Sequence, residues 1–203
     1  MYNATGIILA GGQSRRMGRN KATLPLPGGM QTTFVAHLAA LLLPLCSEVI
    51  IVARDREQAA AYAAHVPSSV SLTTDRVPDT GPLEGLYSGM MAMHANRAFV
   101  AAVDMPLLQP AVVSYLLDLA QGAADDTLLI PLVHDLPQVL HAVYPRAVIP
   151  VIEERLRSGR RDPRSILQLA PVTYVGEEQL RLVDAELHSF INVNTPEEFA
   201  ALS

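Results

Sequence analysis

Thirteen residues near the amino terminus, Leu9-Ala10-Gly11-Gly12-Gln13-Ser14-Arg15-Arg16-Met17-Gly18-Arg19-Asn20-Lys21, carry the parts of a phosphate-binding turn. Paired glycines let a backbone approach a ligand closely and aim its N–H groups at phosphate oxygens. Arginine adds planar bidentate donors and lysine a compact point charge. Arg15, Arg16, Arg19 and Lys21 fall within seven residues, and residues 1–47 contain no Asp or Glu. In a chain of net charge -5, so concentrated a cationic turn invites a small anion such as a triphosphate. A solvated basic loop is the plainer alternative. Two familiar phosphate loops do not match. A Walker A loop needs Gly-Lys-Ser/Thr, but Lys21 lies between Asn20 and Ala22; the Gly-x-Gly-x-x-Gly fingerprint is absent as well.

A second candidate is Asp104, which with Met105-Pro106 ends the apolar run Phe99-Val100-Ala101-Ala102-Val103. A carboxylate at the end of a buried strand suits Mg²⁺, which takes one or two protein carboxylates and leaves its other positions to phosphate and water. The competing reading is an aspartate that caps the next turn. Asn192 and Asn194 are two apart and share one face of an extended segment. They either face a metal or acceptor or brace the turn that follows. The six histidines show no zinc-ligand spacing, Ser14 has no evident histidine partner, and Met90, Met91 and Met93 read as packing. The arginines at 155, 157, 160, 161 and 164 form a second basic cluster, read either as a solvated helix end or as a contact for an acceptor's phosphate.

Such residues need a scaffold that brings them together. Apolar runs without polar alternation at 6–9, 49–53, 99–103 and 128–132 predict strands covered on both faces, and a further strand is expected at 139–144. Helical patterns lie between, at 33–43, 57–64, 83–93, 111–119 and 147–156. Gly81-Pro82 sets proline at a first helical position, and Thr195-Pro196-Glu197-Glu198 opens a short last helix. The alternation predicts an α/β fold with right-handed crossovers and a mostly parallel sheet. Ligands of such sheets bind beyond the carboxyl ends of the strands, which selects residues 10–21, Arg54, Asp55 and 104–106.

The chain has 203 residues, half of them apolar, with no repeat or linker, so residues 1–203 read as a single domain. The acidic balance argues against nucleic-acid coating. A single cysteine, Cys46, excludes an internal disulfide and fits a reducing compartment. No basic signal-peptide start is present, and the longest apolar stretch, 38–46, is too short for a bilayer. A soluble cytoplasmic protein without membrane or nucleic-acid partners is expected.

The series Leu9-Ala10-Gly11-Gly12-x-Ser14-x-Arg16-Met17-Gly18-x-x-Lys21, Gly81-Pro82-Leu83-Glu84-Gly85, Asp104-Met105-Pro106 and Asn192-Val193-Asn194-Thr195-Pro196-Glu197 resembles the molybdenum cofactor guanylyltransferases along nearly the whole chain. The resemblance implies a Rossmann-like three-layer sandwich of nucleotidyltransferase type. It also implies transfer of GMP from GTP to the terminal phosphate of molybdopterin or Mo-molybdopterin, with Mg²⁺ as cofactor. Leu9, Ala10 and Gly11 match a segment against the guanine and ribose, with Gly12 continuing the phosphate cradle. Lys21 matches a nucleotide-binding lysine and Asp75 an aspartate of the nucleotide site. For Asp75, a solvated loop carboxylate is the other reading. Asp104 matches the Mg²⁺ aspartate, and Arg16 joins Lys21 in neutralising phosphate charge. Ala10-Gly11-Gly12 favours GTP over CTP. The chain departs from the family at Val52, Asn20 and Arg161-Asp162-Pro163, where asparagine, aspartate and Arg-Arg-Val are frequent. Other molybdenum cofactor biosynthesis proteins and apo-molybdoenzymes are the implied partners. A relative using CTP or another phosphate acceptor, and a nucleotide-binding adaptor without turnover, are the rival readings.

Overall fold

The computed structural model describes residues 1–12, 20–26, 32–193 and 198. The buried runs form the centre of one sheet. Strands β1 (Tyr2–Leu9), β2 (Cys46–Ala53), β3 (Ser71–Thr74) and β4 (Arg97–Ala102) are parallel, and β1 lies between β2 and β4. Helices α1 (Phe34–Leu42), α2 (Arg56–Ala63) and α3 (Pro82–Ala92) make the crossovers. After α4 (Pro110–Gly122) come β5 (Leu128–Val133), β6 (Leu136–Pro137), β7 (His141–Pro145), α5 (Ile149–Arg157), β8 (Val172–Val175) and the short α6 (Glu177–Leu180). Among the described residues the sheet has eight strands in the order β3-β2-β1-β4-β7-β5-β6, with β8 parallel to β5. β7 runs antiparallel to both β4 and β5.

The lack of polar alternation in the strands has a direct cause. Ile8, Ile51 and Phe99 point into one core, where α1, α2 and α4 pack; Ile7, Ile50 and Val100 point into the other, under α3 and α5. Both faces are buried, so a mostly parallel three-layer α/β sandwich results.

Helix starts follow their caps. Thr33 accepts from the Ala36 N–H to begin α1, and Asp55 accepts from Gln58 to begin α2. Gly81, at φ 105°, precedes Pro82 at the start of α3. Of the segments selected beyond strand ends, Arg54 and Asp55 are thus accounted for locally, since Arg54 Nε also donates to Asp55 Oδ2 at 2.8 Å. The predicted helix at 147–156 divides into a 3₁₀ turn, Arg146–Val148, and α5. The last predicted helix falls on 195–198, of which only residue 198 is described.

Register sets the site. Leu9 pairs with Val52 and with Ala102, and Ala53 pairs with Thr74, so the carboxyl ends of four strands are level. Just beyond them the Ala10 N–H donates to the Val52 carbonyl, Asp75 to Ala53 and Val103 to Leu9, at 2.9, 2.9 and 3.0 Å. The chain leaves β1 toward β2 on one side and returns to β4 on the other, which opens a crevice at this edge. Among the described residues no helix is long and apolar enough to cross a membrane.

Candidate active site

A cavity of about 620 Å³ opens over the level strand ends. Lys21 and Asp104 line one part of it; Leu9, Gly11, Val52, Asp75 and Gly85 cluster in another, and Gly12 also lines the cavity. The glycine turn and the aspartate eighty-three positions beyond Lys21 therefore meet at one site.

At the first end, Lys21 opens a 3₁₀ turn, Lys21–Thr23, capped by Asn20, whose Oδ1 accepts from the Ala22 N–H at 3.1 Å. The departure at Asn20 thus preserves a capping acceptor. Lys21 Nζ lies 3.7 Å from Asp104 Oδ2, with the lysine side chain 12% exposed and the aspartate 28%. Burial raises the Asp104 pKa, and the Lys21 charge offsets part of that rise. The pair leaves each partner poised for an exchange in which the ammonium turns to a phosphate and the carboxylate to a cation. The Val193 N–H donates to the Asp104 backbone carbonyl at 2.8 Å, which sets exposed Asn192 next to this end. Arg16 and Asn194 lie outside the described residues.

One residue here was not foreseen. Tyr62 of α2 is fully buried; its hydroxyl donates to the Ala10 carbonyl at 2.8 Å and lies 3.2 Å from Asn20 Oδ1. It ties together the two stems of the cationic turn. The signal available in the sequence was a lone tyrosine in the Ala-rich helix 57–64.

At the second end, Asp75 follows β3 and its carboxyl has a buried oxygen, Oδ1, without a hydrogen-bond partner among the described residues. A Cβ on Gly11 would come within 3.1 Å of Asp75 Oδ2, and one on Gly85 within 3.4 Å of Oδ1. Glycine at both positions keeps the space around this carboxyl open. Burial, reinforced by the charges of Glu84 and Asp79, pushes the Asp75 pKa up to about 7. Leu9 and Val52 give this end an apolar floor, so the departure at Val52 exchanges an amide for a flat hydrocarbon contact. An unpaired acceptor beside an apolar floor suits a planar base with donors on its edge.

The second basic cluster approaches the rim. The Leu83 N–H donates to the Arg161 carbonyl at 3.3 Å, and a Cβ on Gly81 would be 3.3 Å from Arg161 Cβ. The Arg161 guanidinium donates to the Leu156 and Arg160 carbonyls, so it closes the end of α5.

The donor set can be tested for a metal. Among the described residues no three His, Cys, Asp or Glu side chains are grouped to cage an ion. A lone carboxylate facing a cavity beside a lysine is a poor zinc site and a good seat for a hard cation that shares its remaining positions with phosphates and water. Mg²⁺ fits that description.

Known proteins settle the family. Residues 6–178 match the family model of the MobA-like NTP transferase domain. This chain belongs to that family. It is a nucleotidyltransferase, a class of enzyme that works with a divalent cation. A molybdenum cofactor guanylyltransferase of Desulfosudis oleivorans is 34% identical over 201 residues, covering 98% of this chain and 93% of the relative. A probable molybdenum cofactor guanylyltransferase of Pelotomaculum thermopropionicum is 34% identical over 199 residues, covering 98% and 91%. The crystal structure of molybdopterin-guanine dinucleotide biosynthesis protein A from Archaeoglobus fulgidus superposes with a TM-score of 0.82 at 28% identity, covering 98% and 96% of the two chains.

Proposed function

We propose that this chain, acting as one nucleotidyltransferase domain, transfers GMP from GTP to the terminal phosphate of molybdopterin or Mo-molybdopterin, forming molybdopterin guanine dinucleotide and pyrophosphate. The observation that carries the reading is the 3.7 Å approach of Lys21 to Asp104 within a cavity also lined by Gly11 and Gly12.

The acceptor phosphate is ionised at neutral pH, so attack on the α-phosphorus of GTP needs no general base. Catalysis then consists of positioning and charge neutralisation. The Ala10-Gly11-Gly12 backbone cradles the phosphates, and Lys21 and Arg16 neutralise their oxygens. Asp104 would hold Mg²⁺, which would supply charge screening to the triphosphate. At the other end Leu9 and Val52 support the guanine ring, and Asp75 accepts from its N1–H and 2-amino group. Of the four common bases only guanine presents those two donors side by side, which favours GTP over CTP. Asn192, which the Val193 bond sets by Asp104, belongs to the acceptor side, and Asn194 is assigned to the same role. The reaction suits a cytoplasmic enzyme that takes its acceptor from other molybdenum cofactor biosynthesis proteins and passes product to apo-molybdoenzymes.

Pyrophosphate release from GTP with molybdopterin tests the proposal, run beside ATP, CTP and UTP. Asp104→Ala should lower turnover by about 10²-fold or more while the circular dichroism spectrum is unchanged. Equal turnover in a folded Asp104→Ala variant would refute the metal assignment. Preference for CTP would move this chain to a different nucleotide, and binding without pyrophosphate release would make it an adaptor.

A further inference from the structure

Next to Asp75 in the chain is Arg76, and its contacts run away from the cavity. Arg76 Nε donates to Glu84 Oε1 at 3.1 Å, and the guanidinium lies 4.0 Å over the Tyr87 ring. Its backbone N–H donates to Ser88 Oγ at 3.3 Å. Glu84, Tyr87 and Ser88 are spaced so that they form one patch on α3. The Glu84 side chain is only 4% exposed, whereas that of Arg76 is 51% exposed. A buried carboxylate with one ionic partner is an expensive feature for a helix to keep, since an apolar side chain of similar volume would be as stable. The phosphate chemistry at Lys21 and Asp104 makes no use of it.

Its position gives it another use. The Asp75 N–H donates to Ala53 on β2 at 2.9 Å, and the following N–H donates to α3. The peptide joining Asp75 to Arg76 is therefore pinned between a strand and a helix. The guanidinium is also drawn aside. If it were released from Glu84, Arg76 could fold back on its neighbouring carboxylate and occupy the acceptor that a base would need.

We propose that Glu84, acting through Arg76, is a positioning residue for base selection: it fixes the Asp75 carboxylate at the nucleobase edge and keeps the adjacent guanidinium off it. This rests on the reading of Asp75 as the guanine acceptor. Glu84 touches neither the base nor the reacting atoms.

The test compares kcat and KM for GTP and for inosine triphosphate, which lacks the 2-amino group, with molybdopterin as acceptor. Wild type should prefer GTP, and Asp75→Asn should abolish the preference. Measured well above pH 7, where Asp75 is ionised with or without the Glu84 charge, Glu84→Ala should raise KM for GTP about tenfold with kcat within about twofold, and should shrink the GTP-to-inosine triphosphate ratio in kcat/KM. Glu84→Gln keeps an acceptor for Arg76 and should stay within about threefold of wild type. A folded Glu84→Ala variant with a lowered melting temperature but an unchanged ratio would show a purely structural role and overturn the proposal. Should Glu84→Ala fail to fold, Arg76→Ala decides in its place, and an unchanged ratio there overturns it equally. If Asp75→Asn alters the ratio and neither Glu84 nor Arg76 does, only the clamp fails. If wild type shows no preference, or Asp75→Asn leaves it intact, the guanine reading and the clamp both fail.

Discussion

Asp75 joins ligand recognition to pH. Its pKa near 7 follows from burial and from the charges of Glu84 and Asp79. Only the ionised carboxylate accepts both donors of guanine, so kcat/KM for GTP should rise as pH increases through about 7. A pH series of initial rates checks this, and Asp75→Asn should flatten that limb. The same shift has a stability sign. The folded pKa lies above the ordinary 3.8, so the folded state holds the proton more tightly, and the ligand-free protein loses stability as pH rises from 3.8 to about 7. Asp75→Asn should therefore melt higher at neutral pH while binding GTP more weakly. Lys21 and Asp104 could be read from the sequence because each directly follows a recognisable structural cue, a glycine turn or a strand end. Tyr62 and Glu84 could not. Their importance comes from what α2 and α3 pack against, and neither helix pattern encodes that partner.

Among the elements, α3 is the one most constrained by its neighbours. A Cβ on Gly89 would fall 2.7 Å from Ile7 Cγ2 and 3.0 Å from Val52 Cγ2. Gly89→Ala improves intrinsic helix propensity by about 1 kcal/mol yet should destabilise the protein, because the helix must move off β1 and β2. A net loss of roughly 1–3 kcal/mol by chemical denaturation is expected, with a raised KM for GTP since α3 carries Glu84 and Gly85. Long buried strands and capped helices were legible because both faces, or one strong cap, leave a pattern. Three strands were not, of which β6, Leu136–Pro137, is only two residues long. β3, Ser71-Leu72-Thr73-Thr74, has a single aliphatic residue and is only partly buried. β8 is a four-residue strand with Thr173 and Tyr174 exposed. Each is specified by the strand it pairs with, which local sequence does not reveal.

For the molecule as a whole, acid should act in two separate windows. His141 is fully buried between Phe99 and Phe190, with ring centroids at 5.6 Å from each, and neither ring nitrogen makes a well-formed hydrogen bond among the described residues. Burial pushes its pKa from 6.5 down to about 4. The unfolded chain binds that proton first, so stability falls as pH drops from 6.5 toward 4. At the opposite end of the sheet from the cavity, Glu48 accepts from Thr5, from the His94 ring and from the His94 and Ala95 N–H groups. Burial works against its charge, but these bonds prevail and lower its pKa from 4.5 to about 2. Its contribution is present above pH 4.5 and lost as pH falls toward 2. Denaturation midpoints measured from pH 7 to 2 should show both slopes in an Asp75→Asn background, which removes the opposing slope of that carboxyl. His141→Leu should remove the upper one and Glu48→Gln the lower.

The bond from Val193 to Asp104 has a consequence for how the enzyme comes into being. Residue 104 emerges from the ribosome long before residue 193 does, so the sheet can assemble around an aspartate whose carbonyl still faces water. Its final anchoring waits until residue 193 has been made. Because Val193 is also fully buried in the core, the same residue that anchors Asp104 helps close the sheet's packing, so replacing it should disturb both together.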